Sequence, residues 1–257
     1  MSSASKPAIL DLEDVCFSYE KSRQFIHDLA FSVGEGSFIG LLGANGSGKS
    51  TILKLASGIL KPSSGKIALW GKNLFDLNGR DRAKLISYLP QTLDISVPFT
   101  VQELVGMGLY PYDIPPAMSV ADALDIAGLT DKAGARLTDL SGGERRRTFI
   151  AMTLVQGAGL LLLDEPLANL DIRYQIELIR LLKKLREAKA LSVVMALHDI
   201  NVALQFDKVM LIRDGNIIGS GRPDEVLSRD MLLRTFDVNV EIKRSGDSVY
   251  VSFENNF

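Results

Sequence analysis

Four short runs of nearly unbroken apolar residues punctuate the chain: Phe38–Leu42, Leu85–Leu89, Leu160–Leu163 and Leu191–Leu197. Strands covered on both faces read this way, so the pattern predicts a parallel sheet buried between helices. Each run gives way to polar chemistry: the loop starting at Gly43, then Gln91, the pair Asp164-Glu165, and His198. In open α/β sheets ligands bind beyond the carboxyl ends of the strands. The four endings are therefore expected to converge on one active site.

Elsewhere the spacing changes. Ile52, Leu53 and Leu55 suit the buried face of a helix, and Asp171–Lys189 places Ile172, Ile176, Ile179, Leu182 and Leu185 at three- and four-residue spacing, an amphipathic helix. Its Arg173–Glu177 and Lys183–Glu187 pairs are surface supports. Ile9–Leu12, Val15–Phe17 and Lys66–Trp70 read as antiparallel strands, with Trp70 a packed strand aromatic. Val209–Arg213 meets Asn216–Gly219 across the tight turn Asp214-Gly215, and a final hairpin turns at Ser245-Gly246-Asp247. From Thr92 to Asp139 prolines and glycines punctuate short helices, Val101–Val105 and Val120–Ala127, which predicts an inserted helical subdomain.

The loop at the end of the first run reads Gly43-Ala44-Asn45-Gly46-Ser47-Gly48-Lys49-Ser50-Thr51, which fits G-x-x-x-x-G-K-[ST] at Gly43, Gly48, Lys49 and Ser50. Small residues let consecutive backbone N–H groups curl around phosphate oxygens, Lys49 supplies a point charge and the Ser50 hydroxyl a magnesium ligand. Strand, loop and helix stand in the order that the motif requires. A chance match in a chain of this length has a probability on the order of 1%. The predicted ligand is a nucleoside triphosphate.

Composition adds only bounds. The chain has 257 residues, 46% hydrophobic and 23% charged, with a formal net charge of −2, which gives no electrostatic argument for nucleic acid. The cluster Arg145-Arg146-Arg147 reads as a solvated helix face. A lone cysteine, Cys16, excludes an internal disulfide and fits a reducing compartment. Residues Met1–Pro7 carry no apolar signal core and the longest apolar stretch stops at Asp164, so no membrane span is expected.

Leu140-Ser141-Gly142-Gly143-Glu144 opens another helix, with Ser141 and Glu144 in capping-box register. Two glycines at a capped helix start suit a backbone that a phosphate approaches closely. With Gly43–Thr51, Gln91, Leu160–Pro166, Leu170-Asp171 and His198, this segment makes the chain resemble the ATP-binding subunit of ABC transporters along essentially its whole length. The resemblance implies an α/β fold, a P-loop NTPase (RecA-like) core with an antiparallel β subdomain and an inserted helical subdomain. Residues 1–91 and 141–225 would form the core with its β subdomain, 92–140 the helical subdomain and 226–257 a C-terminal extension.

It also implies roles. Two copies would pair head to tail, each ATP lying between Gly43–Thr51 of one and Ser141-Gly142-Gly143 of the other, with Tyr19 stacking on adenine. Magnesium would be held by Ser50 with Asp164 and Gln91. Glu165 would polarise the attacking water and His198 would contact the γ-phosphate. Asp171 is either an inter-subunit residue or the N-cap of its helix. Tyr88–Gln91, Thr100–Val105 and Gly108–Tyr112 are similar to the importers of iron-siderophore complexes, haem and cobalamin. That subgroup works on the cytoplasmic side of the membrane with a transmembrane permease and, indirectly, a substrate-binding protein. Departures are Leu109 in place of a frequent arginine, Arg146 in place of glutamine, and Leu167-Ala168. The rival classes are an exporter's ATPase and a non-transport ABC ATPase. A simple GTPase lacks the Asn-Lys-x-Asp segment it would need.

Overall fold

A computed structural model describes residues 8–20, 24–93, 98–168, 170–189, 191–245 and 248–253. In chain order its elements begin β1 (Ala8–Phe17), β2 (Ile26–Gly34), β3 (Phe38–Leu42), α1 (Lys49–Ala56), β4 (Ser64–Leu69), β5 (Lys72–Asn73), α2 (Gly79–Leu85), β6 (Ile86–Leu89), α3 (Val101–Gly106) and α4 (Val120–Ile126). They continue with α5 (Gly142–Val155), β7 (Leu160–Asp164), α6 (Ile172–Lys189), β8 (Ser192–Leu197), α7 (Ile200–Ala203), β9 (Lys208–Arg213) and β10 (Asn216–Gly221). The last are α8 (Pro223–Val226), α9 (Arg229–Phe236), β11 (Val240–Ser245) and β12 (Ser248–Phe253). Two compact units emerge, residues 1–74 with 194–257, and residues 75–193.

In the first unit β2-β1-β4-β5 form an antiparallel sheet. The other strands there run in the order β10-β9-β3-β8, with β3 parallel to β9. All five residues of β3 are buried, as its continuous apolar run predicts. Phe38, Ile39, Leu41 and Leu42 each contribute about 1.5–3 kcal/mol on leaving water. Phe38 stacks on Phe206 with ring centroids 4.3 Å apart. Asp214 and Gly215 both have positive φ, 47° and 76°, the geometry of the predicted two-residue hairpin turn. The final hairpin is β11 and β12 in antiparallel register. Gly246 and Asp247, the expected turn, lie outside the described residues. Asn201 fastens this hairpin to α7: Val251 N donates to its Oδ1 at 2.9 Å and its Nδ2 donates to Val251 O at 3.3 Å.

In the second unit β6 and β7 pair in parallel from Ile86 and Leu160 onward. Its helical part is built around Val101, Leu104, Val105, Leu124, Leu137 and Val155, so α5 completes a core begun by α3 and α4. Three of its helices start with a capping box, Thr100 with Glu103, Ser119 with Asp122 and Ser141 with Glu144. Hydrogen bonds from the cap residue hold all three carboxylates below their ordinary range. The backbone N–H is the larger cause at Glu103 and Glu144, the hydroxyl at Asp122. A group whose pKa is depressed by folding stabilises the fold above its unfolded value and loses that contribution as pH falls through the folded one. Glu144→Ala should therefore destabilise the fold at neutral pH. Urea midpoints should show the gap closing below the ordinary value of 4.5, and a gap that persists there would contradict the assignment.

Three expectations need correction. Trp70 is not a packed strand residue: it follows β4 in a turn with φ 46°, and 40% of it is exposed. On α6 the stripe is real but only part of it is covered. Leu178, Ile179 and Leu182 are buried, whereas Ile172 is 75% and Ile176 43% exposed. The third correction concerns Arg146, which lies in the site.

Candidate active site

The phosphate loop belongs to the first unit and joins β3 to α1. Gly46 and Gly48 have φ of 79° and 111°, which only glycine adopts freely, and Gly48 is the residue from which α1 begins. At Gly43 a Cβ would lie 2.4 Å from Ile212 O and 2.6 Å from Ser47 Oγ, so the close approach excludes any side chain. Lys49 is buried, and its Nζ donates to Gly43 O at 2.8 Å and Ala44 O at 3.0 Å, which holds the ammonium over the loop. Gly215 N donates to Ser47 O at 2.8 Å and braces the loop against the β9–β10 turn. Ser47 Oγ is buried without a hydrogen-bond partner. An unmet buried hydroxyl costs about 1–3 kcal/mol, and a phosphate oxygen is the partner this cradle of N–H groups is shaped to take. Ala44, Asn45 and Gly46 form the exposed lip, Ser50 is half-buried and Thr51 is buried.

Tyr19 and Thr51 share a 2.8 Å hydroxyl–hydroxyl hydrogen bond. The tyrosine ring meets Phe17 edge-on at 4.8 Å and remains 60% exposed, a fixed aromatic face beside the loop. His198 follows β8 directly and is exposed. The next residue, Asp199, caps α7 by accepting from Asn201 N at 2.8 Å and Val202 N at 3.3 Å.

The carboxylates belong to the second unit. Asp164 is the last residue of β7, 1% exposed, and Tyr88 Oη donates to its Oδ2 at 3.4 Å. Glu165 follows with φ 48°, a left-handed conformation that costs a non-glycine residue about 1–2 kcal/mol. Local strain of this kind persists where neighbours over-determine it. Gln91, just beyond β6, donates from Nε2 to Glu165 Oε2 at 2.8 Å, so two of the polar strand endings do meet. Gln175 donates to Leu167 O at 3.3 Å and Leu170 O at 2.9 Å, and thereby ties the segment before Asp171 to α6.

Arg146 is the correction. It is 5% exposed, and its three nitrogens donate to the carbonyls of Pro90, Gln91, Asp164, Glu165 and Pro166. Burial holds its pKa down against the opposing pull of Asp164 and Glu165. The run of three arginines suggests solvent, but Arg146 shares a helical stripe with the buried Ile150 and Thr153, and that spacing carried the signal. Arg147 also departs from a solvated face: its guanidinium lies 4.0 Å from the Tyr174 ring centroid and donates to Ala127 O at 2.8 Å.

At the start of α5, Ser141 N and Oγ donate to Glu144 Oε2 at 2.8 and 2.9 Å, and Glu144 N donates to Ser141 Oγ at 3.3 Å. Ser141 and Gly142 are exposed, Gly143 is half-buried, and a Cβ on Gly142 would meet nothing within 4 Å. The helix start is open to an approaching anion. Ser50, Gln91 and Asp164 offer the hard oxygen donors that magnesium prefers, an ion that takes one or two protein oxygens and completes its shell with phosphate and water.

A phosphate loop between a buried strand and a helix, with an acidic pair ending another strand, defines an α/β nucleoside triphosphatase. Residues 26–168 match the family model described as ABC transporter. The petrobactin import ATP-binding protein FpuC of Bacillus anthracis is 36% identical over 241 residues, 90% of this chain and 89% of that protein. The hemin import ATP-binding protein HmuV of Bordetella bronchiseptica is 37% identical over 228 residues, 84% of this chain and 87% of that one. Among solved structures, the dimeric post-hydrolysis state of the ATP-binding cassette MJ0796 bound to ADP and Pi superposes with a TM-score of 0.76 at 27% identity, covering 83% of this chain and 98% of that chain. The chain belongs to the ABC transporter family and is an ATPase of that family, with its mixed α/β fold.

Proposed function

We propose that this chain is the ATP-hydrolysing subunit of an importer, working as a head-to-tail pair on the cytoplasmic face of a separate permease. The cargo class is an iron-siderophore complex, haem or cobalamin, handed over by a substrate-binding protein. The observation that carries the chemical part is the 2.8 Å bond between Gln91 and Glu165, which joins an inter-strand loop to the carboxylate best placed to act on water. The import roles of the FpuC and HmuV proteins, which align with 90% and 84% of the chain, support the uptake direction. In this reading residues 92–140 form the helical subdomain that meets the permease, with Tyr110 and Ile114, 85% and 86% exposed, on its surface. Among the described residues no helix is long and apolar enough to cross a membrane, which supports a permease made by another chain.

Phosphoryl transfer requires positioning and charge neutralisation more than covalent chemistry. The amides and hydroxyls of Gly43–Thr51 hold the phosphates, Lys49 sits on the β- and γ-phosphates, and Ser141-Gly142-Gly143 of the second copy closes over them. Tyr19 offers its ring to adenine. Glu165 takes a proton from the water as its oxygen bonds to the γ-phosphorus, the bridging P–O bond breaks, and ADP and phosphate are released. His198 contacts the γ-phosphate and couples it to closure. Ser50, Gln91 and Asp164 would hold magnesium, which would supply charge neutralisation for the triphosphate.

Titration calorimetry with ATP and magnesium should give one nucleotide per chain, and co-purification should recover a multi-span permease. No uptake of adenosine nucleotide would overturn the site. Nucleotide binding without an importer-type permease would overturn the transport reading alone.

A further inference from the structure

We propose that Arg146 is a positioning residue for ATP hydrolysis, its guanidinium holding the backbones of Gln91 and Glu165 so that their side chains meet where water is activated. The proposal rests on the reading of Glu165 as the group that receives the water's proton. Arg146 Nη1 donates to Gln91 O at 2.7 Å and Pro90 O at 3.2 Å, Nη2 to Asp164 O at 2.9 Å and to Glu165 O, and Nε to Pro166 O at 3.2 Å. One planar group therefore grips both loops, and the bond from Gln91 Nε2 to Glu165 Oε2 closes the circuit between them. A rigid fork with donors in several directions can do this, whereas the point charge of a lysine cannot.

The investment is large. A cation is costly to bury, and an arginine confined this fully normally answers a carboxylate directly. Here each hydrogen bond ends on a backbone carbonyl, and three of the five receive it at Asp164, Glu165 and Pro166, on either side of the left-handed Glu165. Backbone carbonyls held this way fix the direction of the side chains that follow from them. A guanidinium serving stability alone would need no such concentration on one strained residue and the loop that faces it.

The test compares Arg146→Gln and Arg146→Lys with the parent and with Glu165→Gln, each as the full chain, by steady-state hydrolysis, equilibrium ATP binding and thermal melting. In both Arg146 variants kcat should fall about 10- to 100-fold with the KM for ATP unchanged, the range expected when a reacting group is misplaced by about an ångström. Parental turnover in a folded Arg146→Gln chain, with Glu165→Gln inactive, would remove Arg146 from the mechanism and leave Glu165 in place. Parental turnover in Glu165→Gln would instead remove the reading on which the proposal stands. Loss of fold in both Arg146 variants, or equal loss of kcat and ATP affinity, would make the residue structural and overturn its positioning role.

Discussion

Glu165→Gln should leave ATP bound and stop its hydrolysis. The substitution preserves shape, and the new amide oxygen can still accept from Gln91 Nε2, as the carboxylate does at 2.8 Å. The loop proposed to grip the phosphates, Gly43 to Thr51, lies elsewhere in the chain and is untouched. What disappears is the ability to accept a proton from water as the γ-phosphorus is attacked. General-base catalysis of this kind is worth about 10²- to 10⁴-fold, so kcat should drop by that factor while equilibrium ATP binding stays at the parental level. In the proposed head-to-tail pair closure would depend on the bound triphosphate and release on its cleavage, so the variant should accumulate as a nucleotide-bound dimer on size exclusion in ATP. Parental turnover would remove Glu165 from its role. Loss of ATP binding together with turnover would mean that the residue holds substrate instead of acting on water.

The sequence made the phosphate loop legible because its conformation is dictated locally: Gly46 and Gly48 stand at positive φ, and a glycine is required where Gly43 approaches Ile212. The buried strands were equally plain, since a strand covered on both faces has no polar positions to blur it. Harder cases share physical causes. β2 has no clean alternation in the sequence because register shifts against β1 break it, so only Ile26, Leu29 and Val33 are buried along it. α2 buries none of its residues and has no stripe, and only Asn78, accepting from Asp81 N at 2.9 Å, marks its start. On α6 the periodicity gave the correct angle, but Ile172 and Ile176 lie beyond the covered part of the helix along its axis, a boundary that periodicity does not encode. Trp70 continues the apolar rhythm of β4 one residue past the point where the backbone turns left-handed. Three consecutive arginines look solvated; the spacing of Arg146 from Ile150 and Thr153 marks it as the buried one, but the carbonyls that satisfy it lie far away in the chain, around Pro90 and Glu165.

Ser141→Arg should inactivate the nucleotide site of the partner copy while leaving the chain's own phosphate loop intact. Ser141 is an exposed N-cap, and removing its hydroxyl costs about 0.5–2 kcal/mol, too little to unfold a domain of this size. An arginine there sets a long side chain beside the open Gly142 and, in the proposed pair, should crowd out another copy's triphosphate. Complementation with Lys49→Ala separates this from simple damage. A mixed dimer with Ser141→Arg in one copy and Lys49→Ala in the other retains one composite site with both halves intact. Placing both substitutions in one copy, against an unaltered partner, leaves no complete site. Nucleotide trapped per dimer, measured with copies carrying different affinity tags, should therefore be one in the first arrangement and none in the second. Equal trapping in both arrangements would mean that each copy binds ATP by itself, and the shared site would have to be abandoned.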